Sequence, residues 1–142
     1  MPHASPITRL TDQVIDPSAL IDEACVPEAG AVVAFFGITR QFTSGRETAR
    51  LEYDAYRKMA EQELSRLASE ATERWSLVRC QIVHRLGLVP LAEISVAIVV
   101  SSPHRLDAFT AGQWLIDTLK ERVPIWKKEY WADGQSEWVH PS

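Results

Sequence analysis

The sequence predicts an α+β fold in which helices pack on a mainly antiparallel sheet. Two observations carry that prediction. Two long stretches, residues 59–75 and 103–122, have the spacing or the end signals of helices, whereas most other apolar segments are strand-sized. The strands follow one another in pairs, giving the order β, β, α, β, β, α, β, which fits an antiparallel sheet better than alternating parallel units.

Each element has a local reason. Residues 1–15 are polar and punctuated by proline, with one short apolar alternation at Ile7, Leu10 and Val14. Asp16-Pro17-Ser18 reads as an N-cap with proline at the first helical position and opens a short helix to about Ala24. Pro27-Glu28-Ala29-Gly30 breaks it, and residues 31–36 form a buried-type strand ending at Gly37. Residues 41–48, centred on Ser44-Gly45, lack periodicity and are expected to form a mobile loop. Residues 51–56 alternate with period two and predict a strand with one wet face. Apolar side chains at Met59, Leu64, Leu67, Ala68, Ala71 and Trp75 mark an amphipathic helix. Strands near residues 78–85 and 93–100 follow, joined by Gly87-Leu88-Val89-Pro90. Ser101-Ser102-Pro103 starts the second long helix and Pro124 closes it. Residues 125–131 read as extended, Asp133-Gly134 as a tight turn, and Trp138-Val139 as a last short strand.

The chain has 142 residues, 46% hydrophobic and 24% charged, which suits one globular domain over residues 1–142, with residues 1–29 as an N-terminal arm and short helix. No apolar run reaches the roughly 18–20 residues that span a bilayer. The first residues lack the basic and apolar regions of a secretion signal, so a cytoplasmic protein is expected. Cys25 and Cys80 sit in unrelated contexts, and His3, His84, His104 and His140 show no metal spacing. Cys80 reads as core, and His84-Arg85, on a strand, as structural. A net charge of −4 argues against nucleic acid as a partner while leaving room for a small anion.

Three basic constellations stand out. Gly37-Ile38-Thr39-Arg40 ends a hydrophobic strand and delivers a guanidinium to a loop, where the competing reading is a solvated charge. Ser101-Ser102-Pro103-His104-Arg105 places a histidine and an arginine beside the free N–H groups of a helix start, a ready anion site or a plain cap. Lys120 closes the same helix, where a cation also suits the dipole, and Lys127-Lys128 follow beside Pro124, Ile125 and Trp126. As neighbours on an extended segment, Lys127 and Lys128 point to opposite faces, so at most one meets a given pocket. A lysine near other cations and partly out of water loses basicity and becomes a usable acid, base or nucleophile. His104 and Lys120 lie roughly 24 Å apart along one straight helix at 1.5 Å per residue. They serve different sites, or a symmetric dimer brings one helix start to the other chain's helix end; the dimer is favoured.

In order along the chain, residues 30–40 (GAVVAFFGITR), 51–56 (LEYDAY) with Met59-Ala60, 84–87 (HRLG), 102–109 (SPHRLDAF), Leu119-Lys120 and 124–129 (PIWKKE), with Asp133-Gly134 and Trp138-Val139 behind, resemble the large, catalytic subunit family of molybdopterin synthase. The resemblance covers about residues 30–139. It implies an α/β hammerhead-type fold and a homodimer carrying a small ubiquitin-like sulfur-carrier subunit at each outer end, a heterotetramer. It implies a sulfurtransferase of molybdenum cofactor biosynthesis, with no metal or other cofactor of its own. Cyclic pyranopterin monophosphate would receive two sulfurs, each delivered as the carrier's C-terminal glycine thiocarboxylate. By family position Lys120 and Lys127 would be catalytic. Arg40, with His104 and Arg105 from the other chain, would hold the substrate. Ile38, Thr39, Lys128 and Glu129 would line the pocket, and Phe35 would help receive the carrier tail. Two departures are visible. Ala92 stands where the family usually has glycine, which alters a turn, and the sequence stops at Pro141-Ser142 where many members continue with a basic tail.

Three other functions compete. A non-catalytic anion-binding module would keep Arg40, His104 and Arg105 but has no need of two positioned lysines. A phosphate hydrolase would want a metal cluster to activate water, and a nucleic-acid binder a basic stripe.

Overall fold

The computed structural model describes residues 5–139. The expectations for the first four residues and for the Pro141-Ser142 end, with His3 and His140, lie outside them. In chain order the elements are β1 (Ile7–Thr11), α1 (Pro17–Ala24), β2 (Ala31–Ile38), β3 (Phe42–Thr43), β4 (Arg46–Ala55), α2 (Arg57–Trp75), β5 (Arg79–Arg85), β6 (Gly87–Pro90), β7 (Ile94–Ser102), α3 (Arg105–Arg122), β8 (Ile125–Trp131) and β9 (Ser136–Val139).

Two sheets share the chain. The first has the strand order β1-β5-β7-β2, the second β3-β4-β8-β9 with β6 on the other edge of β4. All pairings are antiparallel except β1 on β5. The α+β prediction therefore holds. Helices α2 and α3 cover one face of the first sheet, with Leu64, Leu67 and Leu115 fully buried against Ile82, Ile98 and Val100. Each such leucine contributes about 1.5–3 kcal/mol through removal from water. The other face is closed by α1, whose Leu20 and Ala24 meet Val83, Ala97 and Val99. The α1 start follows its sequence signal: Pro17 is the first helical residue and the Asp16 Oδ1 accepts from the Ser18 and Ala19 amides at 3.0 and 3.4 Å.

Four segments differ from expectation. Helix α3 begins at Arg105, not at Pro103, because Ser101 and Ser102 stay in the ladder of β7 and leave the N-cap position to His104. Residues 7–11 are not merely a polar arm. They form a strand whose parallel partner, β5, lies some seventy residues away. The expected mobile loop at 41–48 is a hairpin, β3 to β4, turned by Ser44 and Gly45 with φ of 51° and 79°. Two successive positive φ values are the geometry that joins antiparallel strands through two residues. The connector at 87–90 is strand β6. Gly87, at φ 85°, bends the chain out of the first sheet so that its next residues pair with β4. One nearly continuous run of chain, β5 into β6, thereby stitches the two sheets together. Cys80 is buried in β5 as expected, and burial pushes its thiol up to about 12.

Ala92 occupies the left-handed region at φ 66° in the turn before β7. That conformation costs a residue with a Cβ roughly 1–2 kcal/mol, partly offset by the freedom glycine would regain when unfolded. Ala92→Gly is expected to stabilise the protein by roughly 0.5–1 kcal/mol, read as a higher urea midpoint at unchanged slope.

Candidate active site

The face of the first sheet that α2 and α3 cover runs on past the end of α3, and there the second sheet leans over it. The gap is a cavity of about 330 Å³. Its walls are Phe35 and Gly37 from β2, Ile116, Leu119 and Lys120 from α3, His84 from β5, and Leu51, Tyr53, Lys127 and Glu129 from β4 and β8. Ladder register explains the last four. Tyr53 lies directly opposite Lys127 and Leu51 opposite Glu129, and opposed residues in an antiparallel pair project to the same side. Gly37 is needed as part of the wall, since a Cβ there would sit 2.7 Å from Val96 Cγ1.

The charges are arranged around one carboxylate. Glu129 is 3% exposed and accepts hydrogen bonds from the Thr43 hydroxyl at 3.0 Å and the Thr48 hydroxyl at 2.5 Å. Loss of water pulls the Lys127 ammonium below the ordinary lysine range; Glu129 pushes it back up, and Lys120 and Arg40 pull it further down. Three cations and one carboxylate thus share the same small space. The Tyr53 hydroxyl is raised chiefly by burial, against a lowering contact with Ser95 and with a smaller push from Glu129. His84, 5% exposed, is lowered to about 4 by burial, with its bond to the Arg85 carbonyl acting the other way. The arrangement can hold an anion, and it keeps one amine easier to deprotonate than a free lysine.

Of the residues singled out in the sequence, the structure brings Phe35, Ile38, Arg40, Lys120, Lys127 and Glu129 to this pocket. Phe35 and Ile38 are 38% and 56% exposed, an apolar lip at its mouth. Thr39 is buried but not in the wall: its hydroxyl donates to the Val89 carbonyl at 3.3 Å and its amide to the Glu93 carbonyl at 3.1 Å, tying the end of β2 to the second sheet beneath Arg40. Lys128 faces the opposite side of β8, its ammonium 5.2 Å from the Tyr130 ring centre and 5.5 Å from that of Trp138. It is not brought to the pocket, as strand alternation requires. His104 caps α3 and Arg105 begins it, at the far end of the helix from Lys120. Tyr53, His84, Ser95 and Thr43 are pocket residues that the sequence reading passed over. Two signals could have found His84: it opens the 84–87 block of the family resemblance, and it lies three residues before the glycine that turns the chain between sheets. Among the described residues no three His, Cys, Asp or Glu side chains gather as metal ligands would.

Fold and site together define an α+β protein with a half-enclosed pocket that gathers two lysines and an arginine, Lys127 among them partly withdrawn from water. The MoaE protein family model matches residues 10–122. The chain is 42% identical over 130 residues to a molybdopterin synthase catalytic subunit of Halalkalibacterium halodurans, covering 92% of this chain and 83% of that one. It is similar to the crystal structure of molybdopterin synthase from Staphylococcus aureus, with a TM-score of 0.85 and 41% identity over 92% of this chain and 94% of that one. The fold also occurs in a complex of subunits 1 and 2 of the molybdopterin-converting factor from Helicobacter pylori, at a TM-score of 0.75 and 22% identity over 94% of this chain and 88% of that one. The chain belongs to the MoaE family.

Two predictions follow from the charges. Followed by NMR of isotope-labelled lysine side chains, Lys127 should titrate below 10.5, fall further in Glu129→Gln and rise in Lys120→Met. The buried His84 affects stability with a definite sign. Its folded value, about 4, lies below the unfolded 6.5, so the unfolded chain binds the extra proton and stability is lost as pH falls through that window. Denaturant unfolding at pH 6.5 and 4 should show a loss of up to about 3 kcal/mol from this group, absent in His84→Phe.

Proposed function

We propose that this chain is the catalytic subunit of a molybdopterin synthase. It moves sulfur from the C-terminal glycine thiocarboxylate of a small ubiquitin-like carrier to cyclic pyranopterin monophosphate, twice for each dithiolene made. The observation that carries this reading is the convergence of Lys120, Lys127 and Arg40 on one half-enclosed pocket in a chain of the MoaE family. Sulfur comes in on the partner, which suits a site whose walls hold no cysteine. The reaction then asks for no resident cofactor.

The pocket suits both reactants. An extended peptide tail passes the apolar lip of Phe35 and Ile38 and brings its thiocarboxylate to the lysines. Each transfer breaks the acyl carbon–sulfur bond, and the carrier is released as a carboxylate once water has supplied the replacing oxygen. Lys127, less basic than an ordinary lysine, takes and returns protons during these steps. Lys120 stands beside it and holds negative charge as it develops on sulfur and oxygen. Arg40 grips the substrate's phosphate.

His104 and Arg105 enter the site from a second copy. Within one chain they are kept from Lys120 by the length of α3. Leu106 and Phe109, 73% and 62% exposed on the first turns of α3, supply the apolar surface for a two-fold contact beside the open edge of β2. The working assembly is then a homodimer with one carrier at each outer end. The fold shared with the Helicobacter complex supports a small-subunit partner. No helix among the described residues is long and apolar enough to cross a membrane, and a cytoplasmic setting suits the reaction.

Purified protein given thiocarboxylated carrier and the cyclic pterin should make dithiolene product. Lys120→Ala should lower the rate at least about 100-fold while leaving the dimer and the carrier complex intact by sedimentation. Product at the wild-type rate from that variant would remove Lys120 from the mechanism. Shared sites make a second prediction. Lys120→Ala and His104→Ala homodimers, each inactive, should on mixing and subunit exchange recover up to about one quarter of wild-type activity, since half the dimers are mixed and each holds one intact site. Activity that stays absent after proven exchange would place His104 in its own chain's site, and a fully active His104→Ala homodimer would place it outside the mechanism.

A further inference from the structure

Among the described residues His84 is the one histidine in the pocket wall, and its ring is held in a single tautomer. The Nδ1 atom lies 2.8 Å from the Arg85 carbonyl oxygen. A carbonyl can only accept, so Nδ1 carries the hydrogen and Nε2 presents a bare lone pair. The residue is 5% exposed, and its ring packs edge-to-face with Tyr53, the two centres 5.0 Å apart and the planes at 68°. Among the described residues Nε2 has no hydrogen-bond partner, yet it belongs to a residue of the cavity wall.

Its neighbours give that lone pair a distinct role. Arg40, Lys120 and Lys127 offer donors, and the Glu129 carboxylate is already engaged by Thr43 and Thr48. The Ser95 hydroxyl is directed to the Gly37 carbonyl at 3.2 Å. The imidazole Nε2 is therefore the one wall nitrogen among these that can only accept, set among cationic donors. A ligand that supplies an N–H there gains a hydrogen bond that no described protein group makes to this atom.

We propose that His84 is a substrate-binding residue that accepts, at Nε2, a hydrogen bond from an N–H group of the bound reactant. Two sources carry this chemistry. One is a ring or amino N–H of the pterin, and the other is the last peptide N–H of the carrier's tail. Because Nδ1 cannot release its hydrogen without losing the Arg85 contact, the site rejects a ligand that presents an acceptor at this point. Tyr53 acts here as a positioning residue, holding the ring from one side while standing across the ladder from Lys127.

The inference rests on the sulfur-transfer reading, and the test separates the two. In the turnover assay, His84→Phe keeps an aromatic ring and removes the acceptor, while His84→Gln offers an amide oxygen in its place. His84→Phe should raise the KM of one reactant roughly 3- to 10-fold, by more than it lowers kcat, and His84→Gln should recover part of that change. A change confined to the pterin KM assigns the donor to the pterin, and one confined to the carrier KM assigns it to the tail. A folded, active His84→Phe enzyme with both KM values unchanged overturns the proposal. A measurement on the unmutated dimer needs neither turnover nor a stable variant. With 15N-labelled histidine, the unprotonated Nε2 resonance of His84 should move on addition of the cyclic pterin or of carrier in its carboxylate form. Saturation by both with no movement overturns the proposal, even if the wild-type protein makes dithiolene. A wild-type protein that makes no dithiolene overturns the sulfur-transfer reading instead, whatever the resonance does.

Discussion

Gathering Arg40, Lys120 and Lys127 in one half-enclosed space is unfavourable unless something of opposite charge shares it. That partner is Glu129, a carboxylate taken out of water that accepts hydrogen bonds from two threonine hydroxyls of the β3–β4 hairpin. The hairpin in turn holds its place because β4 is paired on both edges, with β8 and β6. The second sheet thus has a definite electrostatic task. It carries the counter-charge to the place where β2 and α3 deliver their cations, and the rest of the site is arranged around it.

The two sheets meet because the chain crosses between them at Gly87. Before that residue the strand belongs to the first sheet and carries His84 next to its last residue, Arg85; after it, the same run of chain pairs with β4. The pocket lies at this seam, so its walls come from seven strands and one helix, many of them distant in sequence. Helix α3 carries basic residues at both ends. Its last turn carries Lys120 into this chain's pocket, and its first turn carries His104 and Arg105 away from it. On the dimer reading a single helix of eighteen residues is the spacer between two sites.

Much of this was legible in the sequence, and the parts that were not share a cause. The start of α1 and the end of α3 depend on local chemistry, an aspartate cap with proline and a closing proline, and both were readable. So was the opposition of Lys127 and Lys128, since it follows from the period of a strand; family position pointed Lys128 to the pocket, and the alternation of β8 turns it to Tyr130 and Trp138 instead. Strands β1 and β6 were missed because each is too short or too polar to declare itself without its partner, β5 for one and β4 for the other. His84 was read as structural because it sits in an apolar strand beside Val83 and Ile82. Nothing local distinguishes a histidine that fills a core from one that ends a core and begins a pocket. The same reason hid Tyr53, whose role comes from facing Lys127 across the ladder.

The contrast between the pocket and the whole molecule governs encounter as well as binding. The chain carries a net charge of −4, while the three cations of the pocket exceed its one carboxylate. At physiological ionic strength charges are felt over only about 8 Å. A small anion is therefore repelled weakly by the outer surface and captured strongly once it reaches the mouth. A long polyanion cannot satisfy the pocket without lying along the repelling surface around it. Charge distribution thus sorts ligands by size as well as by sign, before any hydrogen bond is made, and it makes the rate of arrival more sensitive to salt for the phosphate-bearing reactant than for a neutral one.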